Sequence, residues 1–201
     1  PANADAMSDL IKLGQRVLNT LAALHITTIA AIPGACVGGG LELALACDYR
    51  VASDSTSTRI GLPETQLGIL PAWGGSTRLP MLIGLPKALP LILAGKIMKA
   101  GEAKHKGLVD GICPPELLIE YAEQFHTRPK RQHSLFLLEH NTLSVALIRK
   151  KASTSLYKKS RGHYPALDLA LKVVCDGVRI SLEQSLKNEH DAIISLSQGD
   201  E

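Results

Sequence analysis

The chain has 201 residues, 45% of them hydrophobic and 20% charged, with a formal net charge of +3. That is the balance of a soluble globular protein with room for one sizeable core. Aromatic residues make up only 3%, so the core must be built from Leu, Ile, Val and Ala. The four cysteines (Cys36, Cys47, Cys113, Cys175) lack CxxC spacing, which argues against a disulfide frame or a zinc site.

The first element is a predicted helix, "ADAMSDLIKLGQRVLNTLAAL", with Leu10, Leu13, Val17, Leu18 and Leu21 at helical spacing. "ITTIAAI" (Ile26 to Ile32) is short, β-branched and followed by Pro-Gly, which predicts a buried strand. Thr27 to Cys47 is apolar except for Glu42 and long enough to span a bilayer. Pro33, Gly34 and the Gly38–Gly40 run would break such a span, and Glu42 would be costly in lipid. The segment is therefore expected to be a strand, a Gly-rich turn and a buried helix from about Gly39 to Cys47.

"YRVAS" and "RIGL" are two further strands joined by the polar turn "DSTST". "PETQLGILPAWGG" is a loop, and "GSTRLPMLIG" and "PKALPLILAG" are short helices, the second expected to kink or shift at Pro90. "AGEAKHKG" is a helix ending at Gly107, "LVDGIC" a strand, and "PELLIEYAEQF" a helix opened by Pro115. Alternating strands and helices argue for an α/β fold with largely parallel pairing over residues 1–127. From "RPKRQH" onward, residues 128–201 read as a helical C-terminal region.

Residues 149–161, "RKKASTSLYKKSR", hold six of the 22 basic residues and no acid, leaving 16 basic against 19 acidic residues elsewhere. This stretch suits a solvated helix face, and alternatively phosphates, RNA or an acidic partner. No GxGxxG, Walker, HxxxH or HExxH motif occurs, which argues against a dinucleotide or NTP domain and against a metal site. Ser57 and Ser76 have no neighbouring His–Asp partners in sequence, so a serine triad is not supported. Asp48, directly after the helix, is expected to cap or to form a salt bridge, and His163 and Tyr164 to be structural.

The chemistry concentrates around the glycine run. A strand, a Gly-rich turn and a buried helix leave backbone N–H groups free at the helix start, where Gly38, Gly39 and Gly40 carry no side chains to screen them. Such donors can face developing negative charge, or the glycines can simply allow close packing. Glu42 lies one turn into the same helix among Leu41, Leu43, Ala44, Leu45 and Ala46. A buried, unpaired glutamate is expensive and rarely present without purpose. Glu64 follows a strand at the entry to the loop, just after Pro63. Two carboxylates beside an anion-stabilising turn can divide acid and base work, with at least one pKa raised toward neutrality. Trp73 either lines a pocket or anchors packing, with Pro71 and Gly74 shaping the same wall.

At these residues the sequence resembles the enoyl-CoA hydratase (crotonase) superfamily. The matching text is "IAAIPGACVGGGLELALACDYRVAS", "GLPETQLGILPAWGGSTRLPMLIG" and "ILAGKIMKAGEAKHKGLVDGICPPE", spanning about Ile29 to Glu116 in the family's order. The resemblance implies a crotonase-like α/β core, a ββα spiral that is incomplete at its N-terminal side, with a helical C-terminal extension. It implies an acyl-CoA thioester substrate and an enolate-like intermediate held by backbone N–H groups, one of them from Gly39 with Gly38 beside it. Glu42 would activate the water that attacks C3, and Glu64 would handle the proton at C2. Having both favours hydration of trans-2-enoyl-CoA to 3-hydroxyacyl-CoA in fatty-acid β-oxidation. Isomerisation of 3-enoyl to 2-enoyl thioesters, or another crotonase chemistry, is the alternative. A non-catalytic or RNA-binding member of the fold is a third reading, against which the paired glutamates count. No metal or redox cofactor is implied.

"SRGHYPALDLALKVV" is similar to a segment of multifunctional fatty-acid oxidation proteins, where a dehydrogenase domain follows the hydratase domain. The 22-residue step from Glu42 to Glu64 suits the same lineage. The resemblance therefore implies the hydratase portion of a longer polypeptide, forming a homo-oligomer or part of a multienzyme complex in the bacterial cytoplasm or the mitochondrial matrix. The family carries a longer stretch ahead of the glycine run than the 37 residues here, and that stretch holds the first strands and the other oxyanion donor. A fragment lacking that donor is expected to lose about 10²- to 10³-fold in rate.

Overall fold

The computed structural model describes residues 2–130, 141–160 and 165–198. Helix α1 (Ala2–Ala22) leads into β1 (Ile29–Ile32), a bend at Pro33-Gly34, β2 (Ala35–Val37) and α2 (Gly39–Ala46). β3 (Tyr49–Ser53) and β4 (Arg59–Gly61) follow, joined by the polar 54–58 turn, then a 3₁₀ turn at Glu64–Leu67 and α3 (Gly75–Ile83). Next come α4 (Leu85–Ala94), β5 (Ile97–Met98), α5 (Ala100–Lys106), β6 (Gly111–Cys113) and α6 (Leu118–Glu123), the last preceded by a 3₁₀ turn at Pro115–Leu117. α7 (Thr142–Ser160), α8 (Pro165–Gly177) and α9 (Leu182–Gln198) complete the described chain.

The strands form two sheets, ordered β1-β3-β6 and β2-β4-β5. Each consecutive pair divides between them: β1 and β3 pair in parallel in the first sheet, β2 and β4 in parallel in the second. The chain therefore winds as a spiral, each turn stepping from one sheet to the other. β6 adds to β3 in parallel, whereas β5 pairs antiparallel with β4.

Helix α1 forms where its spacing predicts; of its apolar residues Leu18 is buried, whereas Leu10, Leu13 and Val17 are 57%, 47% and 54% exposed. Its buried face is Ile11, Gln15 and Leu18, turned against α2 and α9. Gly14 lies on that side, where a Cβ would overlap the indole of Trp73. Several expectations are corrected. The Gly-rich turn after Pro33 contains the short strand β2, because Pro33-Gly34 bends the chain and β2 resumes pairing in the other sheet. Pro115 opens a 3₁₀ turn rather than the helix, which begins at Leu118. α4 starts at Leu85 and runs through Pro90, forgoing the N–H that proline lacks.

The main hydrophobic cluster includes Ile32, Leu41, Leu45, Ile60, Leu79 and Leu89, together with Val145, Leu171, Val174 and Ile193 from the C-terminal helices. Helices α7, α8 and α9 thus share one core with the strands, packing on α1, α3 and α4. A second cluster of Tyr49, Val51, Cys113, Leu118, Ala122 and Phe125 lies against the first sheet.

Arg50, buried in β3, donates to the carbonyls of Leu108, Ala44, Cys47 and Asp48 and pairs with Asp110 at 3.2 Å. Asp48 does form a salt bridge, to Lys130 at 3.3 Å, and also accepts from the backbone N–H and hydroxyl of Thr28. Arg149 and Lys150 of the basic stretch lie exposed on α7, and Arg149 pairs with Asp176. Arg161, His163 and Tyr164 lie outside the described residues. All four cysteines are unpaired, and burial pushes the thiols of Cys36 and Cys175 up to about 11. Among the described residues no helix is long and apolar enough to cross a membrane.

Candidate functional site

The site is assembled at the starts of two helices. α2 begins after Gly38, whose φ of 57° and ψ of −131° suit a residue without a Cβ. Gly38 N–H donates to Gly61 O, and Gly38 O accepts from the N–H groups of Leu41 and Glu42. This anchors the turn to β4. Gly39, as the first helical residue, has no acceptor for its N–H within α2.

Glu42 points inward and is 3% exposed. Its Oε1 accepts two hydrogen bonds, from Trp73 N–H at 2.8 Å and Gly75 N–H at 2.9 Å. Burial raises its pKa from 4.5 to about 7, and the charge of Glu64 pushes the same way. The N–H donors of Gly75 and Trp73 and the Arg78 guanidinium oppose that rise. The outcome is a carboxyl that titrates near neutrality, the range suited to giving and taking protons.

Glu64 opens the 3₁₀ turn after Pro63, whose carbonyl accepts from Gln66 N–H. It is half-buried, and burial raises its pKa. Its Oε2 is buried with no hydrogen-bond partner among the described residues. Its Oε1 sits beside the glycine turn, 3.3 Å from where a Cβ on Gly38 would stand. The two glutamates, 22 positions apart in sequence, therefore share one neighbourhood, close enough for the charge of Glu64 to raise the pKa of Glu42.

Trp73 fills the gap between α1 and α2. A Cβ on Gly39 would fall 2.9 Å from its Cζ3, so both faces it packs on must be glycine. The side chain is half-buried and packs on the main hydrophobic cluster, a packing anchor at the edge of the site. Pro71 is buried; its carbonyl accepts from Ser76 Oγ, and its Cβ lies 2.8 Å from where a Cβ on Gly75 would stand. Gly74 precedes α3 with φ 107°, and a Cβ there would overlap the Arg78 guanidinium. The eight sequence-predicted residues, Gly38, Gly39, Glu42, Pro63, Glu64, Pro71, Trp73 and Gly74, are thus brought to one region. A groove of about 560 Å³ lies elsewhere, between α1 and α9, and none of the eight lines it. Among the described residues, no group of three or more His, Cys, Asp or Glu is placed to hold a metal ion.

Sequence reasoning missed Glu189 and Arg78. Glu189 on α9 is fully buried; its Oε2 accepts from Gly74 N–H at 2.8 Å and its Oε1 from Thr77 Oγ1 at 2.6 Å. Burial, then the charge of Glu42, raises its pKa to about 8. Arg78 donates to Trp73 O and Asn19 Oδ1 and faces both carboxylates. One signal was available: Leu182, Ser185, Glu189, Ala192 and Ile193 fall on one helical stripe, so the acid stands in a core register.

The profile of the enoyl-CoA hydratase/isomerase family matches residues 5–163. The chain belongs to the enoyl-CoA hydratase/isomerase family. Curated relatives include the fatty acid oxidation complex subunit alpha of Vibrio vulnificus (strain CMCP6), 42% identical over 186 residues, covering 90% of this chain and 26% of the relative. The same subunit of Vibrio cholerae (El Tor Inaba N16961) is 43% identical over 188 residues, with 90% and 27% covered. This hydratase/isomerase chain thus spans about a quarter of the length of the curated relatives it matches. Among solved structures, an enoyl-CoA hydratase from Bacillus anthracis is 32% identical with a TM-score of 0.55, covering 94% of this chain and 61% of that one. An enoyl-CoA hydratase from Mycobacterium avium subsp. paratuberculosis, 20% identical, shares the fold at a TM-score of 0.65, with 98% and 69% covered. The crotonase-like α/β core with a helical C-terminal region is therefore the fold of this hydratase/isomerase chain.

Proposed function

We propose that this chain is the hydratase portion of a fatty-acid oxidation protein and adds water across the double bond of trans-2-enoyl-CoA, giving 3-hydroxyacyl-CoA. The observation that carries the reading is the convergence of Glu42 and Glu64 beside the Gly38–Gly39 turn. One water sits between the two carboxyls. Glu42, ionised in part near neutral pH, takes a proton as the water oxygen bonds to C3. The π electrons move onto the thioester oxygen, where Gly39 N–H and the positive end of α2 stabilise the developing charge. Glu64, protonated at the start, delivers its proton to C2 as the electrons return, and the proton held by Glu42 then passes through water to Glu64, which resets the pair and makes the net addition one H2O. Both parts of water arrive from the same side, which makes the addition syn.

The substrate class follows from the family, and the reading requires no metal or redox cofactor. The names of the curated relatives support assembly in a multienzyme complex; self-association and a cytoplasmic or mitochondrial-matrix setting are further parts of the proposal. The test is kinetic. Hydration of a trans-2-enoyl-CoA is expected, with Glu42→Gln and Glu64→Gln each lowering kcat by at least about 10²-fold. A protein that shifts the double bond of 3-enoyl-CoA but does not hydrate 2-enoyl-CoA would replace this reading with the isomerase one. Near-normal turnover in either variant would overturn the assigned roles.

A further inference from the structure

Three successive amides, Trp73, Gly74 and Gly75, open α3, and each is claimed by a buried carboxylate. The outer two go to Glu42 Oε1, from one side of the turn. The middle one points the other way and goes to Glu189 Oε2, supplied by α9. Gly74 cannot be exchanged for a residue with a side chain here, because its φ is left-handed and the Arg78 guanidinium occupies the Cβ position. The turn is thus clamped between two acids and braced from below, where Arg78 donates to Trp73 O at 3.1 Å. Glu189 is itself held rigidly: Thr77 Oγ1 reaches its Oε1 and lies 2.7 Å from Ser185 Oγ. Gln15 of α1 ties the same region together, donating to Ala72 O and Leu186 O at 2.8 Å each.

We propose that Glu189 is a positioning residue for Glu42: by fixing the Gly74 amide it sets the Trp73–Gly75 turn, and that turn commits Oε1 of Glu42 to the backbone and leaves Oε2 for the reacting water. Packing alone does not account for an acid at this position, since a fully buried carboxylate is costly and the buried stripe of α9 around it, Leu186, Ala192 and Ile193 beside Ser185, is mostly apolar. What it supplies is an acceptor strong enough to hold an amide at a helix start. The proposal rests on the hydratase reading for its kinetic consequence, and on the geometry alone for its structural one.

The two parts separate in one experiment on the full chain, because Trp73 is the only tryptophan and forms one edge of the turn. Three variants are compared with wild type: Glu189→Ala removes the acceptor, Glu189→Asp shortens its reach by one methylene, and Glu189→Gln keeps the acceptor without the charge. With helical circular dichroism retained, Glu189→Ala and Glu189→Asp are expected to red-shift Trp73 emission and increase its quenching by acrylamide. Both are expected to lower kcat for 2-enoyl-CoA hydration about 10- to 100-fold with KM within about threefold, the signature of a misplaced catalytic group. Glu189→Gln is expected to restore emission and bring kcat within about threefold of wild type, its oxygen accepting from Gly74 and its amide donating to Thr77. Should Glu189→Ala fail to fold, Glu189→Asp and Glu189→Gln decide. Native Trp73 emission and native kcat in folded Glu189→Asp would overturn the proposal, as would Glu189→Gln as damaged as Glu189→Asp. A wild-type protein that hydrates no enoyl thioester would remove the functional reading, and Trp73 emission would still decide whether Glu189 holds the turn.

Discussion

Replacing Glu42 by Gln should stabilise the protein at alkaline pH while removing its proposed activity. The amide oxygen introduced by Glu42→Gln still accepts from Trp73 and Gly75, so the two hydrogen bonds made to Oε1 survive. What disappears is the cost of ionising a buried carboxyl. Its pKa is raised in the folded chain from 4.5 to about 7, so its contribution to stability is complete below pH 4.5 and is lost as pH rises through 7. With each pKa unit corresponding to about 1.4 kcal/mol, that rise amounts to about 3 kcal/mol at pH 8 and less than about 1 kcal/mol at pH 5. Glu42→Gln should therefore gain about 2 to 3 kcal/mol over wild type between pH 5 and pH 8. Relief of the repulsion on Glu189 has the same sign. Urea unfolding at a series of pH values, followed by circular dichroism and Trp73 fluorescence, measures the difference. A stability gap independent of pH, or a Glu42→Gln protein less stable than wild type at pH 8, would refute the reasoning. A site that is less stable because it is functional is the expected trade-off.

Two further outcomes probe the scaffold. Gly74→Ala places a Cβ at φ 107° and into the Arg78 guanidinium; strain and overpacking together should cost about 2 to 5 kcal/mol, read as a lowered urea midpoint. A loss under about 1 kcal/mol would show that the turn relaxes freely. Arg50→Met withdraws a buried donor from Asp110 and from the carbonyls of Ala44, Cys47 and Leu108; about 3 to 5 kcal/mol should be lost in thermal or urea denaturation, and a variant as stable as wild type would contradict that account.

Much of the site's local structure was legible because glycines and prolines punctuate it. The strand Tyr49–Ser53 and the helix starting at Gly39 fall where "YRVAS" and the glycine run put them. Glu42 stood out as a single charge in an apolar helix. Which face of α1 packs was not legible from its apolar spacing: Leu10, Leu13 and Val17 carry apolar area, but Gly14 and Gln15 carry the fit, one admitting an indole and the other tying two carbonyls. The core register of α9 could have flagged Glu189, but its partners, the Gly74 N–H and Thr77 Oγ1, lie more than a hundred residues away, and the Leu108 carbonyl and Asp110 that hold Arg50 lie about sixty residues on, so neither pairing has a sequence signature. Short strands such as Ile97–Met98 exist only through pairing with a neighbour, Ile60 and Gly61, and carry no periodicity of their own.

The bond from Gly74 to Glu189 joins positions 115 residues apart, and this sets an order of events during synthesis. A ribosome delivers the glutamate pair and the glycine turn long before α9 leaves the exit tunnel. Until that helix docks, the nascent protein holds its proposed reactive groups without the brace inferred for them, so alignment of the site waits on α9 however much chain follows it.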